Sequence, residues 1–570
     1  MKKKIRTFWK IMAGIVIFLM VISGGIFTVG YFYYGKIIRS AIIDFVKKES
    51  KGIYSADIGH LYINLLNGNL TIKELSLIPD TTIYRKHAGK GPLSPLLFDM
   101  KVKYFIVKDF QILEIIRQRK IDISVIQILS PEIIIYRMQT VPEQTTNDKK
   151  GDKIMSVPLP RGLKAIAIKE ILFKQGKLDY FDFSRDTVFH QSIPSCTISL
   201  KNVLVDSVHQ GKRRLFNSDD ISITVNGLSL KAKNGLNLIS FDEIGLSTRQ
   251  NTFYIKNFHL VPQFNRLDYA RKSGFQTDRL EILIPMLRLS RLNIRQLIFE
   301  EKFRAGLLEI DGLVVDDYRD KRIPRKPGFR PSMPQDALRK MKNNLKIDTV
   351  ILKNGKATYA EQVGEEPGTI FFNNMNATLT GLTNDSVIIQ AGLVSELNGT
   401  AFLMGKGKMN INVKFRFGDK KNSFSYSALL GPMDLQAVNP MLTKLLPAEI
   451  TSGKIRQLLV TEVNANDDVA KGKLVLYYND LRMTLHSQKE SAWNSIKTGL
   501  INFVANDFVV SDDNPTKSGK LKTGVILFHR DKEKGIINFI WKSVLSGLKS
   551  QMGFNTREQK EIKKLQKNRK

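Results

Sequence analysis

The chain has 570 residues, more than one compact core usually accommodates, so several structural regions are expected. A formal net charge of +34, from 88 basic and 54 acidic residues, points to anionic partners: nucleic acid, acidic lipid or acidic glycan. The single cysteine, Cys196, excludes an intramolecular disulfide and C-x-x-C metal sites, and reads as a small buried apolar residue.

Residues 1–10 form a basic flank with Lys2, Lys3, Lys4, Arg6 and Lys10. Ile11 to Tyr34 then runs 24 residues without a charge, and about 20 apolar residues suffice to cross a bilayer as a helix. Ile11, Ile15, Phe18, Val21, Phe27 and Tyr31 are the anchor positions. The flank places the N-terminus in the cytoplasm and everything after Tyr34 across the membrane. A retained anchor is favoured over a cleaved signal peptide. The run exceeds the ~7–15 residues of a signal core, and no small-x-small site follows clearly.

The long middle reads as strands. It divides into a β region at 35–138, a linker at 139–156, a second β region at 157–318, a Pro/Arg-rich exposed loop at 319–335 and a third β region at 336–535. Period-two alternation marks Val413, Phe415 and Phe417, and again Leu474, Leu476 and Tyr478; these are the candidate groove-lining residues. Helical patterns are few: residues 491–507 and the short "NPMLTKLLP". "ILFKQGKLDY" (Ile171 to Tyr180) aligns without a gap on "VILKNGKATY" (Val350 to Tyr359), and "LSPEIIIYR" (Leu129 to Arg137) on "LIPDTTIYR" (Leu77 to Arg85). Each unit reads as strand, tight turn, strand, with Gly176 and Gly355 permitting the turn. A sheet built from such units has one apolar face that must be covered. A sandwich, barrels and an open gutter all remain possible on composition.

At 536–553, Ile537, Ile540, Trp541, Val544, Leu545 and Leu548 share one helical face. This segment either caps the end of the fold or touches a membrane, and a basic tail at 554–570 follows it. No H-E-x-x-H, G-x-S-x-G, Walker A or G-x-G-x-x-G motif occurs, and the seven histidines are scattered. The chain therefore reads as a non-enzyme without cofactor or metal. The anchor and the lack of a recognition motif set nucleic acid aside.

With the anchor come "IYSADIGHLYINLLNGNLTIKELSLIPD" (Ile53 to Asp80), Val102 to Arg137 and "KNGKATYAE". Ala428 to Leu458, "KGKLVLYYNDLRMTL" (Lys471 to Leu485) and "IINFIWKSVLSGLKSQMG" (Ile536 to Gly553) follow. In this combination the chain resembles the AsmA-like superfamily of Gram-negative envelope proteins, including its Bacteroidetes members. The resemblance implies a bridge-like lipid transfer protein: a long curved antiparallel β-sheet groove with few helices, held in the inner membrane and extending into the periplasm. It implies phospholipids or other acyl-chain lipids as ligands, and outer-membrane or periplasmic proteins as further partners. Roughly 25 strands at ~4.8 Å give a gutter on the order of 120 Å. The alternative is a non-transporting scaffold that assists outer-membrane protein assembly; an envelope enzyme ranks last.

Overall fold

The computed structural model describes residues 34–560, apart from 65–66, 88–93, 112–116, 139–162, 185–187, 207–216, 233, 447, 486–512 and 554. Residues 11–33 of the anchor run, the whole linker at 139–156, the candidate helix at 491–507 and the tail beyond 560 lie outside the described residues. No helix among the described residues is long and apolar enough to cross a membrane.

The protein is mainly β, with 21 strands among the described residues. Two compact units divide the chain: residues 1–230 with 240–254, and residues 231–239 with 255–570. The first contains helix α1 (Tyr34–Glu49), strands β1 (Tyr54–Asn64) and β2 (Asn69–Pro79), helix α2 (Thr81–His87), and strands β3 (Leu96–Lys108), β4 (Lys120–Arg137), β5 (Ala165–Asp182), β6 (Phe189–Asp206) and β7 (Asp220–Lys231). Strands β8 (Asn237–Ser247) and β9 (Thr252–Pro262) fall where the division is drawn.

The second unit begins with α3 (Arg266–Ser273), β10 (Asp278–Ser290), α4 (Ile294–Phe299), β11 (Lys302–Asp311), β12 (Val314–Asp320), α5 (Pro334–Arg339), β13 (Asn344–Gln362) and β14 (Pro367–Thr383). It continues with α6 (Ser386–Gln390), β15 (Ser395–Leu403), β16 (Gly407–Phe415), β17 (Phe424–Leu430) and β18 (Met433–Asp434). It closes with α7 (Asn439–Leu445), β19 (Ala448–Ala465), β20 (Val469–Leu485), β21 (Gly524–His529) and α8 (Ile536–Gln551).

Neighbouring strands are mostly antiparallel, but the expectation of an all-antiparallel sheet is corrected in two places. β4 runs parallel to β5, and β11 and β12 both run parallel to β13. A parallel pair needs a crossover connection rather than a hairpin. The two linker-like stretches of the sequence fall in these two connections. The second one is also not simply an exposed loop. Its start belongs to β12, and its end is anchored by Met333 and Gln335, 1% and 0% exposed.

The supposed hairpins at Gly176 and Gly355 are single long strands with a crease. The residue before each glycine, Gln175 or Asn354, takes a positive φ of 55° or 54°. The ladder is interrupted there: it has a gap between Leu129↔Lys174 and Glu132↔Lys177 in one unit, and its register shifts on both sides of Gly355↔Met375 in the other. In the first unit the crease crosses five strands, passing Gly59, Glu74 (φ 59°), Lys103, Ser130 (φ 46°) and Gln175. It inverts which side chains face inward: Leu77, Leu75 and then Ile72 are buried along β2. Such bulges bend strands and re-aim side chains. The pairing of "LSPEIIIYR" with "LIPDTTIYR" also fails, because Thr81–His87 is helical.

A different repeat replaces it. Strand β4 with β5 and β6 has the same register as β11/β12 with β13 and β14. Lys120↔Ala165 matches Lys302↔Asn344, the first ladder gap falls at Ser124 and Lys169 or at Gly306 and Asp348, and Gly176↔Cys196 matches Gly355↔Met375. The Tyr-Arg pairs 136–137 and 318–319 occupy equivalent steps. In the first unit, Ile42 and Val46 of α1, both 0% exposed, join a core with Ile58, Ile72, Ile121 and Ile123.

Candidate binding surface

Cross-strand partners project to the same side of a sheet. In the second unit one such row runs Leu352↔Ala377↔Gly399↔Ile411↔Ala428↔Val460↔Leu474, across β13, β14, β15, β16, β17, β19 and β20. A parallel row runs Leu379↔Leu397↔Val413↔Tyr426↔Val463, and another Ala401↔Met409↔Leu430↔Leu458↔Leu476. Thr378, Asn398, Asn412 and Ser427 alternate with them and face the other way. One face is therefore apolar across seven strands.

That face is closed at its β20 end and half-open at its β13 end. Val460 and Leu474 are 1% and 0% exposed, whereas Leu352, Ala377, Gly399, Ile411 and Ala428 are half-buried. Along this row lies a trough of about 660 Å³ reaching from Ile351 to Val460, and the alternating polar residues Asn376, Thr378, Asn398, Asn410, Asn412 and Ser427 contribute to its lining. Its floor is low because the row contains Gly399 between Ala377 and Ile411. A Cβ on Gly399 would sit 3.2 Å from Ile411 Cγ2 and 3.6 Å from Ala377 Cβ. Helix α7 packs against β13, β14 and β19, which are not all neighbours, so the sheet of this unit curls around it.

Helix α8 makes the closed end. Its most buried stripe is Phe539, Ser543, Gly547 and Ser550, spaced i, i+4, i+8 and i+11, with Ile540, Val544 and Leu548 packed against the core beside it. Tyr426 Oη and Ser543 Oγ are hydrogen-bonded, and burial pushes the Tyr426 phenol up to about 12. Phe539 stands edge-on to Phe424 at 6.1 Å. Gln551 pairs with both backbone groups of Leu476: its Nε2 donates to the carbonyl at 2.7 Å and its Oε1 accepts from N–H at 2.8 Å. The Val525 N–H donates to Ser550 Oγ at 3.0 Å, and Gln559 Nε2 donates to the Val525 carbonyl at 2.8 Å. These side chains satisfy backbone groups on the last two strands, Leu476 of β20 and Val525 of β21, where the sheet edge would otherwise be unpaired.

The sequence-derived positions separate accordingly. Val413, Leu474, Leu476 and Tyr478 are 0–5% exposed and belong to the cores at the closed end. Phe415 stacks between Phe417 at 5.7 Å and Phe424 at 6.0 Å. On α8, Ile540, Val544 and Leu548 flank the packed stripe, Leu545 is half-buried, and Ile537 and Trp541 remain 78% and 53% exposed. Sequence reading missed the floor of the trough, because Ala377, Gly399 and Ala428 are too small to register as apolar alternation.

A polar cluster interrupts the apolar face near the end of β13. Arg319 donates from Nε and NH2 to the Asp278 carboxylate at 2.5 and 2.6 Å, and Lys321 pairs with Glu361. Beside them Asp317 Oδ1 is buried without a partner. Burial, with Asp278 close by, raises the Asp317 carboxyl to about 6. No protein-family model matches the chain, and no curated protein matches it in sequence.

Proposed function

We propose that the protein binds acyl-chain lipids on the half-open apolar face of its second unit. We propose further that it supports phospholipid movement between inner and outer membranes, from an inner-membrane anchor at residues 11–34 with the rest of the chain periplasmic. The carrying observation is the row from Leu352 to Ala428, which is apolar, contiguous and only half-buried. Monomeric proteins rarely leave such a face open without a ligand or partner. Five strands at ~4.8 Å spacing give the row a length of about 19 Å. An acyl chain in one leaflet spans about 15 Å, half of a ~30 Å hydrocarbon core. The curl of the sheet around α7 supports reading this unit as a gutter.

The test is native mass spectrometry of the full chain released from mild detergent. Phospholipid bound in a fixed ratio is the expected result; a protein that carries none overturns the reading. The anchor is checked separately by alkaline carbonate extraction. The full chain should stay with the membrane, and a chain lacking residues 1–35 should be released.

A further inference from the structure

The connection from β12 to β13 carries "KRIPRKPGFR" (Lys321 to Arg330), a run of cations with one aromatic. It is tied to the segment leading into α8. Arg325 NH1 lies 4.0 Å from Asp531 Oδ2 and 3.8 Å from Glu533 Oε2, and Arg530 NH2 donates to the Pro331 carbonyl at 3.3 Å. The tether joins the connection that carries Phe329, 58% exposed, to the segment that leads into α8, on which Ile537 and Trp541 are exposed. Lys326 and Arg330 are exposed beside Phe329. Asp531 and Glu533 already face Arg325, and Lys532 is engaged by Asp468 at 2.7 Å.

The cations here are crowded. Burial and the nearby charges of Arg325, Lys321 and Arg319 lower the Lys534 ammonium to about 8. Crowded positive charge is relieved by an anionic surface. Phe329, Ile537 and Trp541 gain nothing from phosphate alone, but they gain from burial at the boundary between head groups and acyl chains. Only a lipid surface offers both at the same depth. The hydrogen bonds of Gln551 and Ser550 hold α8 against the sheet, so its outer stripe is presented on a rigid support.

We propose that Arg325, Lys326, Phe329 and Arg330 of the connection, together with Ile537 and Trp541 of α8, form a surface that docks on an anionic phospholipid bilayer. This surface is separate from the trough, and the proposal does not require lipid inside it.

The experiment uses the full chain held in phosphatidylcholine nanodiscs. These are floated with vesicles of phosphatidylcholine alone, or of two parts phosphatidylcholine to one part phosphatidylglycerol. Co-flotation is expected with the mixed vesicles only, and high salt should abolish it. Lys326→Glu with Arg330→Glu should reduce partitioning about tenfold or more, since each basic residue near such a surface adds measurably to binding. Phe329→Ser with Trp541→Ser should reduce it comparably. Both pairs are exposed, and unchanged thermal unfolding would verify that the fold persists. Equal flotation with neutral vesicles, or wild-type flotation in both double variants, overturns the proposal. So does tighter binding to a DNA duplex that depends on Lys326 and Arg330 but ignores Phe329 and Trp541. Lipid carried in the trough is measured on the same samples. Its absence with docking intact would remove the function proposed above and leave this surface standing.

Discussion

Arg137 stands directly opposite Asp182 in the parallel β4–β5 ladder, its NH1 3.7 Å from Oδ2, and Arg319 stands opposite Glu361 at the matching step of the second unit. Asp182 is 1% exposed and its Oδ1 also accepts from the Ser184 N–H at 3.0 Å. Replacing it strips partners from Ser184 as well as from Arg137. Asp182→Ala is expected to destabilise the first unit by about 1–3 kcal/mol. Thermal unfolding followed by circular dichroism measures this, and an unchanged midpoint would refute a structural role for the pair.

Gly547 is the position on which α8 depends. A Cβ there would fall 2.6 Å from both Leu474 Cδ2 and Ile526 Cγ1. Gly547→Val forces the helix off the β20–β21 face, or the sheet to shift, at about 1–3 kcal/mol. Limited proteolysis should then cut within 536–560 before any other described segment. Removing the whole helix is a poorer test, because Phe539 is core and Gln551 and Gln559 serve strand backbones.

Gly399→Leu combined with Ala377→Leu should fill the trough floor without introducing charge. The expected outcome is at least an about fivefold fall in co-purified lipid, with the β-sheet signal in circular dichroism retained. Unchanged lipid content in a folded double variant would count against the trough as the binding place.

Asp317 gives a pH dependence of defined sign. Its folded-state carboxyl titrates near 6, above the unfolded value of 3.8, so its burial costs stability above pH 6. That cost is relieved as pH falls through 6 toward 3.8. Asp317→Asn should therefore raise the melting temperature at pH 7.5, by the equivalent of on the order of 1 kcal/mol after allowing for solvent screening. The gain should shrink toward pH 4. A gain that grew on acidification would contradict the assignment.

Much of the fold is legible in the sequence, and the exceptions share a cause. Alternating residues find β16 and β20, and helical spacing finds α7 and α8, because those signals are local. The crease at Gln175 is invisible, since glutamine has no special preference for positive φ; the ladder imposes it. A glycine beside it suggested a turn instead. Parallel pairing was missed because it depends on where a distant connection returns. On α8 the apolar face is met in part: Ile540, Val544 and Leu548 pack against the core while Ile537 and Trp541 stay exposed, and the closest approach is at Ser543, Gly547 and Ser550, whose small side chains let helix and sheet come together. The trough floor was hidden for the same reason.

The creases also set the kind of sequence change the protein tolerates. Between creases a strand keeps a fixed parity, so losing one residue swaps every later side chain from the oily side to the wet side. At Gln175 the parity is already reset, and deleting that residue would straighten β5 and invert everything from Gly176 to Asp182. Each long strand thus behaves like text with a frame change written into it. Substitutions alter single letters, whereas single-residue insertions and deletions rewrite the rest of the line. Changes in chain length are therefore expected to be tolerated best in the connections, and least in the three-strand register shared by the two units.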